Sequence, residues 1–357
     1  MAKKDLILLL MLVFVPISLI AQWLHLNPVV IFIASGLAII PLAARIANST
    51  EAIATVIGPA FGGLLNATFG NATEMIVSIV ALHAGLIDVV KASLTGSIIA
   101  NLLLALGLAT LLGGLSFTEQ TFNPTVARLN SSSLTLAVIV LLAPTAIQVT
   151  SRGLKTSTIN NFSYIAAILL LTFYCLMLFF SMKTHSHMYL LEEAESDSTE
   201  SSQHQVNLRL QIGVLLTCTV VLVFVSDILV ESLEKAISTL GLTSLFTGVI
   251  LIPIFGGIVE YISCITFATK NKMELAVSVA IGSSLQIAMF VTPILVLIGW
   301  VMGQPMNLNF NLFSVLAVAI AVLITNSISN DGRSNWLEGV LLLMTYTVLA
   351  TAFYLHP

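Results

Sequence analysis

Charge is what this chain most lacks. Of its 357 residues only 8% are Asp, Glu, Lys or Arg, about a third of the roughly 25% usual in soluble domains. So few charges cannot cover a water-facing surface, and a water-soluble enzyme is excluded. There is no basic tract. With 13 basic against 17 acidic residues and a net charge of −4, nucleic-acid binding has no electrostatic footprint. Cysteine is scarce too. Cys175, Cys218 and Cys264 all sit in apolar runs, which implies no disulfide framework. What fills the chain is apolar: 57% hydrophobic residues, with a mean hydropathy of +1.04. That is the composition of an all-α polytopic membrane protein whose partner is the lipid bilayer.

About 20 apolar residues span a bilayer core as a helix. Runs of that kind predict spans at 6–24, 28–47, 54–83, 89–114, 131–150, 160–182, 208–230, 241–268, 274–300, 309–328 and 335–355, eleven in all. The third and eighth are long and interrupted by Gly, Pro and polar residues. The first follows Lys3 and Lys4 but is too long for a signal peptide and has no clear cleavage site, so it reads as a retained, peripheral helix at 1–26. With the N-terminus on one side, that side collects nine of the 13 Lys and Arg and the opposite side four. The excess predicts a cytoplasmic N-terminus. Residues 183–207 break the apolar pattern with Glu192, Glu193, Glu195, Asp197 and Glu200, and read as a cytoplasmic acidic linker. It separates a five-helix unit at 27–182 from another at 208–357. An odd number of crossings in each forces the two units into opposite orientation.

The two units repeat. FGNATEMIVSI at 69–79 and FGGIVEYISCI at 255–265 align at a shift of 186 positions, sharing Phe69/Phe255, Gly70/Gly256, Glu74/Glu260, Ile76/Ile262 and Ile79/Ile265. The same shift carries Gly96-Ser97 onto Gly282-Ser283. Glu74 and Glu260 lie inside long apolar runs, whereas most other acids sit at loops or helix ends. A charge at the bilayer centre costs about 2.5–3.5 kcal/mol or more, so an intramembrane acid points to function. Gly70-Asn71 and Gly256-Gly257 favour broken helices, which membranes tolerate around a buried site or wet cavity. Two carboxylates, backbone carbonyls and the side-chain oxygens of Asn71, Ser97, Asn101, Ser283 and Gln286 make an all-oxygen environment suited to a hard cation such as calcium. Without the cation, two neighbouring buried carboxylates lose their charge by taking up protons. A site holding either protons or a divalent cation is an exchanger site.

These segments resemble the calcium/proton exchanger family of the calcium/cation antiporter superfamily. The resemblance rests on GNATEMIVSIVAL at 70–82, GSIIANLLLALG at 96–107 and KNKMELAVSVAIGSSLQIAMFVTPILVLIGW at 270–300. It implies that Glu74 and Glu260 are the central cation ligands and proton acceptors. Backbone at Gly70 and Gly256, and Asn71, Ser97, Asn101, Ser283 and Gln286, would surround the ion or line its route. It implies alternating access, with calcium and protons as transported ions and no cofactor or catalytic activity. The second motif departs from the family pattern GNAAEH. Gly257 stands where an asparagine is usual and Tyr261 where a histidine is usual. The first change removes an amide that would mirror Asn71, the second a group that titrates near neutral pH, so cation selectivity is less constrained than the family name.

Other features read more plainly. The acidic run 192–200 is a solvated linker or a segment that concentrates cations at the cytoplasmic entrance. His185 and His187 are a weak metal signal, and Asp227, Glu231 and Glu234 read as the solvated end of the seventh span. Asp88 and Glu274 correspond under the 186 shift and suit helix N-termini. The N-terminus carries no long extension, which points to a prokaryotic plasma membrane, and a homo-oligomer is compatible with the sequence. The alternatives are a sodium- or potassium-coupled exchanger of the same superfamily, a passive cation channel, and an intramembrane hydrolase. Symmetric acid-bearing broken helices favour a carrier over the last two.

Overall fold

A computed structural model describes residues 3–151, 155–188 and 207–356. Helices dominate. Strand structure among the described residues is one two-residue antiparallel pair, Gln120–Thr121 with Arg333–Ser334. The helix starts are written in the sequence. Asn27, Asn123 and Asn311 each accept a backbone N–H through the side-chain oxygen, from Val29, Thr125 and Phe313 at 2.9, 3.0 and 2.9 Å. Pro28 and Pro124 follow as first helical residues, where a missing N–H costs nothing. Gly241, in the left-handed conformation at φ 66°, ends the helix Leu208–Leu240.

Among the described residues eight helices are long and apolar enough to cross a membrane, and two bent helix pairs raise this to ten. The expected count of eleven is therefore not reached by length alone. The segment expected at 309–328 forms a helix of only 17 residues, Leu312–Ile328, because Asn311 starts it late. The seventh expected span, 208–230, is longer than its apolar run and extends through Asp227, Glu231 and Glu234 to Leu240. The two bent pairs are the two interrupted spans. Phe61–Phe69 and Ala72–His83 meet at 43°, and Ser244–Gly256 and Ile258–Ala268 at 59°. The acidic run 192–200 lies outside the described residues.

The 186-residue period holds in the secondary structure. It carries Ala72–His83 onto 258–269, where the helix Ile258–Ala268 lies, and Ile87–Ile99 onto 273–285, where Met273–Gln286 lies. It also carries the π-helical turn Ala100–Ala105 onto 286–291, where the turn Ile287–Val291 lies.

The chain forms two compact units, each drawing on sequence from both halves of the chain. The first takes the chain up to Ser93 and the segment ending at Val259. Its centre is the pair of long helices Pro28–Ile57 and Leu208–Leu240, packed through Ile39, Leu42, Ile46, Leu222, Val225, Leu229 and Leu233. The N-terminal helix Phe14–Trp23 packs on both, with Gln22 Nε2 donating to Glu231 Oε2 at 2.6 Å. Gly36 admits the ring of Phe255, since a Cβ there would lie 2.7 Å from it. The second unit takes the segments from Leu94 and from Glu260 to Leu355. Here Leu106–Ser116 and Trp336–Leu355 approach at small residues. A Cβ on Gly107 would lie 3.1 Å from Leu342, and one on Gly114 or Gly339 would strike the opposite backbone. Close approach at glycine is a normal basis of helix packing in membranes. The loop before Leu312 is fastened by Leu308 N to Ser163 Oγ at 2.9 Å and Phe310 N to Thr145 Oγ1 at 3.1 Å.

Candidate cation site

Both glutamates occupy the same local setting. In the first broken span the helix Pro59–Phe69 stops at Gly70, whose N–H donates to Asn66 O at 2.7 Å. Asn71 then leaves helical geometry at φ −119°, ψ 33°, and a new helix starts at Ala72. Glu74 stands in its first turn with 7% of its surface exposed, and Asn71 keeps 3%. In the second broken span the short helix Ile252–Gly256 ends at Gly257, whose N–H donates to Pro253 O at 2.8 Å. Glu260 falls in the first turn of Ile258–Ala268, half-buried, with its Oε2 shut off from solvent. Each glutamate therefore sits three residues after its break, at the positive end of a half-helix. Backbone N–H groups there favour a negative charge. Tyr261, next to Glu260, is buried at 4% exposure.

Within the first unit, Glu74 and Gly256 come together although they are 182 residues apart in sequence. A Cβ built on Gly256 would lie 3.5 Å from Glu74 Oε1. With no side chain at Gly256, the carboxyl lies against bare backbone of the other broken span. Within the second unit, Asn101 and Ser283 come together. Asn101 Nδ2 donates to Ser283 Oγ at 3.0 Å, both residues being buried. Asn101 sits in the π-helical turn Ala100–Ala105, and its Oδ1 is buried with no hydrogen-bond partner among the described residues. Wide π turns often occur at functional positions, where they re-aim a side chain. Ser97 is buried one turn earlier at 4% exposure, and Gln286 is half-buried one turn beyond Ser283. Glu74, Asn71, Gly70, Gly256 and Gly257 belong to the first unit, and Glu260, Ser97, Asn101, Ser283 and Gln286 to the second.

Among the described residues no three His, Cys, Asp or Glu side chains cluster as a metal site. A site of two carboxylates completed by amides, hydroxyls and carbonyls falls outside that pattern. The sequence reading missed three groups of the first unit. Thr50, Ser226 and Thr247 are buried hydroxyls whose oxygens have no hydrogen-bond partner among the described residues. Sequence could not mark them, because hydroxyls in apolar helices usually bond back to a preceding carbonyl, as Ser35 does to Ile31 O at 2.8 Å.

The family model described as sodium/calcium exchanger protein matches residues 27–183 and 210–355. The chain belongs to this family. Within it, the chain is 54% identical to a protein of Aphanothece halophytica named Ca(2+)/H(+) antiporter, over 100% of this chain and 98% of that one. It is 52% identical to a protein of the same name from Synechocystis, over 100% and 99%. The solved structure of native YfkE superposes with a TM-score of 0.84 at 37% identity, covering 98% of this chain and 100% of that chain. The resemblance drawn from the two glutamate motifs thus extends along the whole chain, and this family member is an integral membrane protein.

Proposed function

We propose that the chain is a secondary active antiporter exchanging calcium, or another divalent cation, for protons by alternating access at an intramembrane site built on Glu74 and Glu260. The observation that carries the reading is the recurrence, at one spacing, of a broken helix with a glutamate three residues after the break. Two carboxylates at the positive ends of half-helices hold a divalent cation and, once it leaves, take up protons. The amide of Asn101 and the hydroxyl of Ser283 supply neutral oxygens for the remaining coordination. The names of relatives more than 50% identical over the full chain support calcium and proton as the ion pair. The cyanobacterial relatives favour a prokaryotic plasma membrane, and the distribution of Lys and Arg favours a cytoplasmic N-terminus.

A second reading, sodium- or potassium-coupled exchange, is favoured by the family's description and by Gly257, which withdraws one amide from the second motif. Purified protein in sealed vesicles separates the two. Calcium uptake is followed under an imposed proton, sodium or potassium gradient. Uptake driven by the proton gradient alone supports the first reading, and uptake driven by sodium or potassium at constant pH replaces it with the second.

A further inference from the structure

Away from the glutamates, the second unit holds a polar cavity of about 350 Å³ between the helices Pro124–Thr150 and Leu312–Ile328 and the turn that follows. That is within the range of small-ligand sites. Its lining includes Arg128, Ser131, Asn326, Ser327, Ser329 and Asn330. In a chain with 13 basic residues, one facing a serine- and asparagine-lined hollow calls for a reason. Arg128 spends one donor, Nη2, on Asn330 O at 3.3 Å and makes no ion pair among the described residues. The nearby carboxylates are engaged elsewhere. Glu119 pairs with Arg333 at 3.1 Å, and Asp331 Oδ1 accepts from Arg333 N at 3.1 Å. Ser131 is 4% exposed and its hydroxyl has no partner among the described residues. Asn326 donates through Nδ2 to Thr135 Oγ1 at 2.9 Å, which leaves Oδ1 as a buried acceptor without a donor. The Arg128 guanidinium is thus open to an anion at the cavity, while the Ser131 hydroxyl and Asn326 Oδ1, both closed to solvent, belong to residues of its wall.

The cavity also has an apolar approach. Leu316, Ile320 and Leu323 are 48%, 42% and 63% exposed and follow one another at turns of the same helix, with the cavity residue Ser327 one turn further. In a membrane protein such a stripe faces lipid. We propose that the cavity binds the head group of an anionic, hydroxyl-bearing glycerophospholipid. Its phosphodiester sits on Arg128, the side chains of Ser131 and Asn326 turn out of the wall to meet it and a head-group hydroxyl, and an acyl chain lies along Leu323, Ile320 and Leu316. Basic pockets between membrane helices are a known setting for lipid head groups. A free phosphate would satisfy the guanidinium but would leave the apolar stripe unused.

The test is native mass spectrometry of the delipidated full-length protein, titrated with phosphatidylglycerol, phosphatidylcholine or inorganic phosphate. Melting temperatures are recorded to confirm folding. Phosphatidylglycerol is expected to bind about tenfold more tightly than phosphatidylcholine. Arg128→Gln should weaken it about tenfold, as loss of a charge-assisted contact does, and Ser131→Ala severalfold. Lys183→Gln, which alters a cation outside the cavity, should leave it unchanged. Equal binding of the two lipids, or phosphatidylglycerol binding that survives both cavity substitutions, overturns the proposal. So does competition by inorganic phosphate at the same concentration, because the site would then take a free anion. If Arg128→Gln fails to fold, Ser131→Ala, which keeps charge and nearly all the volume, decides the matter.

Discussion

The two broken spans solve one problem with different residues. The first turns 43° at Gly70-Asn71 and the second 59° at Gly256-Gly257. Asn71 leaves the helix at φ −119°, ψ 33°, whereas Gly257 does so at φ −86°, ψ 7°, with Pro253 close before it. The half-helix leading in also differs. Before the first break it begins at Pro59, after Gly58 at φ 86°, and before the second it contains the π-helical turn Thr247–Leu251. What does not differ is the glutamate, three residues past the break in both. Under the proposed function, the chemistry constrains the carboxylate and the positive end of the half-helix under it, and leaves open how the chain is broken.

Four substitutions press on that comparison. The largest effect on stability is expected from Gly36→Ala, because its new methyl would lie 2.7 Å from the ring of Phe255, one residue before the second break. Overpacking of this kind costs about 1–3 kcal/mol. Thermal unfolding should show a clear loss, while Gly213→Ala, with nothing within 4 Å of the new methyl, should be near neutral. Equal effects would mean that the seating of Phe255 is not tight. Next is Asn101→Ala, which removes one hydrogen bond to the buried Ser283 hydroxyl. Loss of such a bond costs about 0.5–1.5 kcal/mol. A double-mutant cycle with Ser283→Ala should return a coupling near 1 kcal/mol, the usual worth of such a bond, and zero coupling would remove this pair from the account. Gly256→Ala should fold normally, since its methyl would be in ordinary contact with Glu74 at 3.5 Å. By covering the bare backbone beside the carboxyl it should still slow calcium uptake by about tenfold, in line with small misplacements at a reacting group. Uptake at the wild-type rate would show that the carboxyl does not use this backbone. The smallest effect is expected of Gly257→Asn, which gives the second break the residue of the first. Its backbone at φ −86° suits any residue. Uptake should stay within about fivefold, since the amide adds only a neutral ligand worth about 1 kcal/mol, and a collapse would show that the asymmetry is required.

Much of this was legible in the sequence, and what was not has physical reasons. Every apolar run became a helix or a bent pair, because about 20 apolar residues with satisfied backbone leave little choice in a bilayer. The breaks were legible at glycine, and the places of Glu74 and Glu260 just after them from the 186-residue repeat. Helix ends were less so, because hydropathy measures the lipid-facing length while the helix runs on to its next stop. Leu208–Leu240 therefore continues past its apolar run to Gly241. The π-helical turns at Ala100–Ala105 and Ile287–Val291 have no residue signature, and neither does the pairing of Asn101 with Ser283, since both depend on packing between distant segments. The acidic run 192–200 was legible only as composition.

In the proposed function, Glu74 and Glu260 are the shared seat of cation and proton. The most direct test is calcium uptake into sealed vesicles bearing the purified protein, with and without an imposed proton gradient. Wild type, Glu74→Gln and Glu260→Gln are compared at equal amounts of folded protein. Glutamine keeps the shape and removes the titrating charge. Wild-type uptake is expected to follow the proton gradient and each substitution to abolish it. Uptake that ignores the proton gradient, or that persists in either variant, would contradict the proposed function.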